Sequence, residues 1–143
     1  MHRLITLLMT ALLLATAPVR GDNAEHFDGY TVHYNAFNAN LLDQRVAEAY
    51  KLRKGCSDGV LTVALRRDDG TAAAAEVRVS AVTLVGQRSA IKMQEVRDGR
   101  SIYYVGGFAI TTDAEPLKFV VTLRTEGGTR DHGFEFSRQL FRC

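Results

Sequence analysis

The chain has little of what most site chemistry needs. Its 143 residues hold two cysteines, four histidines and a formal net charge of only +2. Beyond residue 21 the histidines are His26, His33 and His132, and none stands at a metal-ligand spacing from another soft donor. Met93 offers a thioether to copper(I), but a single methionine on an alternating stretch reads as core filler. No cofactor is expected. Internal repeats are absent, and the one biased tract is Ala72 to Ala75. The longest apolar run, Leu4 to Ala17, is about 14 residues, too short at ~1.5 Å per residue to cross a ~30 Å hydrocarbon core.

That run does fit a different use. Met1, His2 and Arg3 give a basic start, the apolar segment follows, and small residues come after it, which is the order of a Sec signal peptide. Pro18 disfavours a cut after Ala17, so cleavage is expected before Asp22, with Glu25 as the alternative mature start. No cysteine lies near the leader's end to take a lipid. The expected organisation is a cleaved leader over residues 1–21 and one domain over residues 22–143, periplasmic and without a membrane anchor. Of the 18 basic residues, Arg3 and Arg20 leave with the leader, and the remaining 16 face 16 acidic ones. A near-neutral chain with scattered cations has no electrostatic footprint for nucleic acid.

The mature part reads as strands almost throughout. Tyr30 to Phe37 is rich in β-branched and aromatic residues, with Tyr30, Val32 and Tyr34 on one face. Residues 41–51 form the one helical piece, with Leu42, Val46, Ala49 and Tyr50 three or four apart and Asn40 as N-cap. Val60 to Arg67, Glu76 to Val85, Ser89 to Arg97, Ile102 to Ile110, Leu117 to Leu123 and Phe134 toward Phe141 supply six further strands. Asp68-Asp69-Gly70, Asp98-Gly99 and Gly127-Gly128 mark turns. Seven strands and one helix predict an all-β fold, an antiparallel immunoglobulin-like β-sandwich. Val32, Tyr34, Leu61, Val63, Val77, Val79, Ile102, Tyr104, Phe108, Phe119, Val121, Phe134 and Phe136 are its expected core. Gly106 and Gly107 should mark a bulge or the close approach of another strand.

Three groups of residues invite chemistry. Gly55-Cys56-Ser57-Asp58-Gly59 has the G-x-S-x-G form, with Asp131 and His132 downstream. A nucleophile elbow needs strand before serine and helix after it, and here the order is reversed, so the segment reads as a turn. Cys56 precedes the second strand and Cys143 follows the seventh. Alternating strand directions put both at one pole of the sandwich, where an oxidising compartment permits a bridge. A frayed C-terminal cysteine that never meets its partner is the competing reading. Third, His33, Asn35 and Phe37 lie on the more polar face of the first strand, and His33, Asn35 and Asn38 offer directional hydrogen bonds beside the Phe37 ring. Asparagines that bond their own backbone in a bend explain Asn35 and Asn38 equally simply.

Asp28-Gly29-Tyr30-Thr31-Val32-His33-Tyr34-Asn35-Ala36-Phe37-Asn38 resembles the opening motif of a small secreted gammaproteobacterial family, domain of unknown function 4426. The likeness continues through Val46 to Tyr50, Gly59 to Leu65, Ile102 to Val105 with Phe108, Leu117 to Phe119 and Phe134 to Phe136. The resemblance implies a periplasmic, compact β-rich domain and brings no activity or catalytic residue with it. Two function classes remain. One is a binding or interaction module whose partner is a protein or cell-envelope component, using the rim around Phe37 and the helical segment. The other is a small hydrolase with an unrecognised site, or a ligand or metal carrier.

Overall fold

The computed structural model describes residues 23–143, so the leader over residues 1–21 lies outside the described residues. Ten strands run in chain order: β1 (Ala24–Phe27), β2 (Tyr30–Asn38), β3 (Asp58–Arg67), β4 (Ala72–Ala73), β5 (Ala75–Val82), β6 (Arg88–Ile91), β7 (Gln94–Asp98), β8 (Ser101–Ala109), β9 (Leu117–Thr125) and β10 (His132–Arg138). They form two antiparallel sheets. The larger has the order β1-β2-β3-β8-β7 with β4 added to β3, and the smaller is β10-β9-β5-β6.

Period two explains how these faces meet. Val32, Tyr34 and Ala36 pair with Leu65, Val63 and Leu61, so one face of β2 and β3 is continuously apolar. Val79, Ala81, Phe119, Val121 and Leu123 answer from the smaller sheet, and all are buried. Every residue expected in the core belongs to this inter-sheet cluster, and of these Val77, Ile102, Phe108, Phe134 and Phe136 are partly buried. The Tyr104 hydroxyl ties the sheets directly, accepting a hydrogen bond from Ala75 N at 2.8 Å. Burial, which disfavours the phenolate, raises its pKa.

Three strands exceed the expected seven: β1, the two-residue β4, and one gained by division. Ser89 to Arg97, read as one strand, is two: β6 pairs with β5 in one sheet, and β7 pairs with β8 in the other. Residues 92–93 carry the chain between the sheets over Gly106. A Cβ at Gly106 would lie 2.8 Å from the Lys92 carbonyl oxygen and 2.6 Å from Met93 Sδ. This is the close approach foreseen for the glycine pair; pairing runs unbroken through Leu61↔Gly106 and Val60↔Gly107, so there is no bulge. The alanine tract makes a similar crossing from β4 to β5.

Other expectations need correction. Val85 leaves the strand and sits in an exposed turn, because Gly86 takes φ +83° and bonds back to Thr83. The helix, α1 (Gln44–Ala49), is shorter than residues 41–51 and follows a 3₁₀ turn at Ala39–Leu41. Its N-cap is Asp43, whose side chain accepts from Arg45 N, and not Asn40. Ala47 rather than Ala49 is its buried residue.

Candidate functional site

The outer face of the larger sheet is divided in two. Near the end of β2 it carries a second small core of Ala39, Val60, Val96 and Val105, with Phe37, Leu42, Tyr50, Leu52 and Tyr103 packed against it. The 3₁₀ turn and α1 therefore roof this half of the sheet. A six-residue helix is too short to hold its shape alone, and the packing beneath it supplies the stability. Phe37 belongs to this second core, half-buried, and is not the free recognition ring read from the sequence. Val60-Leu61 and Tyr103-Tyr104-Val105 were the available signal, since consecutive apolar residues mark strands buried on both faces.

The other half of the face is open. His33 and Asn35 are exposed there, opposite Ala64 and Thr62 of β3. The surface continues past Ala64 and Arg66 into a cleft of about 790 Å³ between two hairpin tips, bounded by Asp69-Gly70-Thr71 and by Asp98-Gly99-Arg100. The first tip is braced by side-chain hydrogen bonds, and the second is a tight two-residue turn. The Asp69 carboxylate accepts from Thr71 Oγ1 at 2.6 Å and from Thr71 N at 2.9 Å, and the hydroxyl contact above all lowers its pKa. Gly99 opens the two-residue loop with φ +58° as the first central residue, the requirement of a type II′ turn. Arg66 and Arg100 line the cleft with Asp69 and Asp98, an amphoteric and hydrogen-bonding wall.

Asn38 has a different task from its neighbours on β2. Its side-chain amide donates to the Phe141 carbonyl, holding the C-terminal segment against the end of the strand. Cys56 and Cys143 are bridged beside it, and Cys143 N donates to Cys56 O at 3.2 Å. The pole argument thus held, because the two runs that switch sheets keep their direction while doing so. The Asp113 carboxylate completes the clasp, accepting from Arg142 N at 2.6 Å and from its guanidinium. Of the four candidate surface residues, His33 and Asn35 share the open face, Phe37 supports the roof and Asn38 pins the tail.

The serine-hydrolase constellation does not assemble. Ser57 lies in the turn before β3, where Gly55 N donates to Asp58 Oδ2 at 2.8 Å. Asp131 instead pairs with Arg124 at 2.8 Å and Arg78 at 3.1 Å, and the Arg124 hydrogen bond chiefly lowers its pKa. His132 stacks on Phe27 with ring centroids 4.0 Å apart and lies 3.1 Å from Asp28. Phe27 pairs with Tyr30, and Tyr30 with Arg67 at the far end of β3, roughly 30 Å from Ser57 at ~3.3 Å per residue.

These features define a two-sheet antiparallel β-sandwich whose larger sheet is roofed over half its outer face. The chain belongs to the family described as Domain of unknown function (DUF4426), whose model matches residues 24–142. The crystal structure of a DUF4426 family protein from Pseudomonas aeruginosa PAO1 is similar throughout. It superposes with a TM-score of 0.77 at 27% sequence identity, over 87% of this chain and 98% of that one. No curated protein matches.

Proposed function

We propose that this protein is a periplasmic interaction module that holds a protein or another cell-envelope component on the open outer face of its larger sheet. The observation that carries the reading is the asymmetry of that face. One half is sealed by α1, while His33, Asn35 and the cleft beside Arg66 and Arg100 stay exposed as one polar surface. A hydrogen-bonded tip and a tight two-residue turn around a sheet floor suit recognition, because such turns have little conformational freedom to lose on binding. The basic start and apolar segment ahead of Asp22 support the location. The test is crosslinking in intact cells with the wild type and with a His33→Ala/Asn35→Ala/Arg66→Ala variant. The variant is expected to lose a crosslinked envelope partner while keeping the wild-type urea midpoint. A variant that keeps every partner rules this surface out.

A further inference from the structure

We infer that the open edge at the end of β8, on the side away from β3, accepts an extended acidic segment of a partner protein as an added strand. This goes beyond the reading above, since it concerns a different surface at the sheet edge. Ladder parity supplies the first argument. Ile110 N donates to Ser57 O at 2.7 Å, one step beyond the Asp58↔Ala109 pair. Hydrogen-bonded pairs alternate in an antiparallel ladder, so Phe108, Gly106 and Tyr104 bond to β3. Val105, Gly107 and Ala109 therefore turn their N–H and C=O groups the other way. Val105 meets Gln94, where the pairing of β7 with β8 stops because the chain departs for the smaller sheet. Gly107 and Ala109 are left as an exposed strand edge.

The surroundings indicate what fits there. A groove of about 380 Å³ runs over Gly107, Phe108 and Ala109, walled by Lys51, Leu52 and Arg53 on one side and by Lys92 and Gln94 on the other. Gln94 Nε2 donates to the Tyr50 carbonyl at 3.0 Å, which closes one end. Three cations line the groove against one carboxylate, Asp58. That carboxylate is already engaged by Gly55 N at 2.8 Å and lies 3.8 Å from Arg53 Nε. Lys51 and Lys92 have no ion-pair partner among the described residues. Backbone groups to pair with a strand and uncompensated cations beside them select an extended segment carrying Asp or Glu.

The experiment uses the oxidised full domain and an array of eight-residue peptides of random sequence, with hydrogen exchange on the strongest binder. Bound peptides are expected to alternate β-branched with acidic residues and to protect the Gly107 and Ala109 amides. Lys51→Glu/Lys92→Glu should weaken the strongest binder by about tenfold or more. Ala109→Pro, which deletes a groove-facing donor and leaves the β3 ladder intact, should weaken it similarly, whereas His33→Ala/Asn35→Ala should leave it unchanged. An array without binders, a bound set without acidic bias, or binding indifferent to Lys51→Glu/Lys92→Glu overturns the inference. So does a concentration-dependent dimer that alone protects Gly107 and Ala109, which would make a second copy of this chain the occupant.

Discussion

Phe119 has no exposed surface, and its ring lies 5.0 Å from both Phe108 and Phe136. Three aromatic rings from β8, β9 and β10 thus meet at one point, and truncation there leaves a cavity that two strands cannot close. Phe119→Ala is expected to cost about 3–5 kcal/mol in urea unfolding, a large part of a typical domain's stability. A loss below about 1 kcal/mol would contradict this register of β9. Asp113 illustrates a polar residue with a structural task. The Arg142 backbone N–H, and then its guanidinium, hold this carboxyl below the usual 3.8. A folded-state value below the unfolded one stabilises the clasp above the unfolded value and loses that effect as pH falls through the folded value. The carboxyl carbon shift of Asp113 should therefore titrate with a midpoint below 3.8, and Arg142→Ala should move it upward. A wild-type midpoint at or above 3.8 would show that the clasp is open in solution.

At the scale of elements, the segment joining β6 to β7 decides most of the architecture. By crossing over Gly106 it ends one sheet, starts the edge of the other and leaves the last residues of β8 without a neighbour on the side away from β3. The crossing is possible because position 106 has no side chain. Gly106→Ala places a methyl 2.8 Å from a backbone oxygen that cannot rotate away. The variant is expected to lose about 1–3 kcal/mol, as overpacked cores do, measured by thermal or urea unfolding. Wild-type stability in that variant would mean the crossing is looser than described. The edge strand β7 itself is protected: Arg97 pairs with Glu95 on the inward face, and paired charges discourage uncontrolled strand addition. The end of β8 carries no such protection, which sets it apart from the rest of the edge.

For the whole molecule, the bridge between Cys56 and Cys143 closes 87 residues of chain, from the start of β3 to the C-terminus. In the chain-entropy account such a loop stabilises by up to about 4.5 kcal/mol. A Cys56→Ser/Cys143→Ser variant should fall short of the oxidised wild type by at most that amount, and reduction of the wild type should reproduce the loss. Equal stability with and without the bridge would mean that the unfolded chain gains no freedom from the cut. Secretion bears on the same bond, because the periplasm permits it and the cytosol does not. N-terminal sequencing of protein from the periplasm should start at Asp22, or at Glu25. A mature chain retaining Leu4 to Ala17 in the inner membrane would defeat the location and the route to oxidation together.

The alternation of apolar and polar residues was enough to place β2, β3, β5, β8, β9 and β10 and every expected core position, since a two-sheet fold buries one face of each strand. The motif from Asp28 to Asn38 likewise sufficed for the family. Periodicity reports which face of a strand is apolar, but not which sheet the strand joins. The division of Ser89 to Arg97 between sheets was therefore invisible, although the glycines at its crossing were conspicuous. The roofing of Phe37 by α1 was hidden for a related reason. A half-polar face looks solvated until a helix from elsewhere in the chain lands on it, and Phe37 and Asn35 differ only in which side of that landing they fall. Tertiary structure alone decided the open edge at Gly107 and Ala109, because an edge is the absence of a neighbour. The pairing of β7 with β8 ends at Gln94↔Val105 because the preceding β6 is taken by β5 of the other sheet, a division that exists only once both sheets have formed.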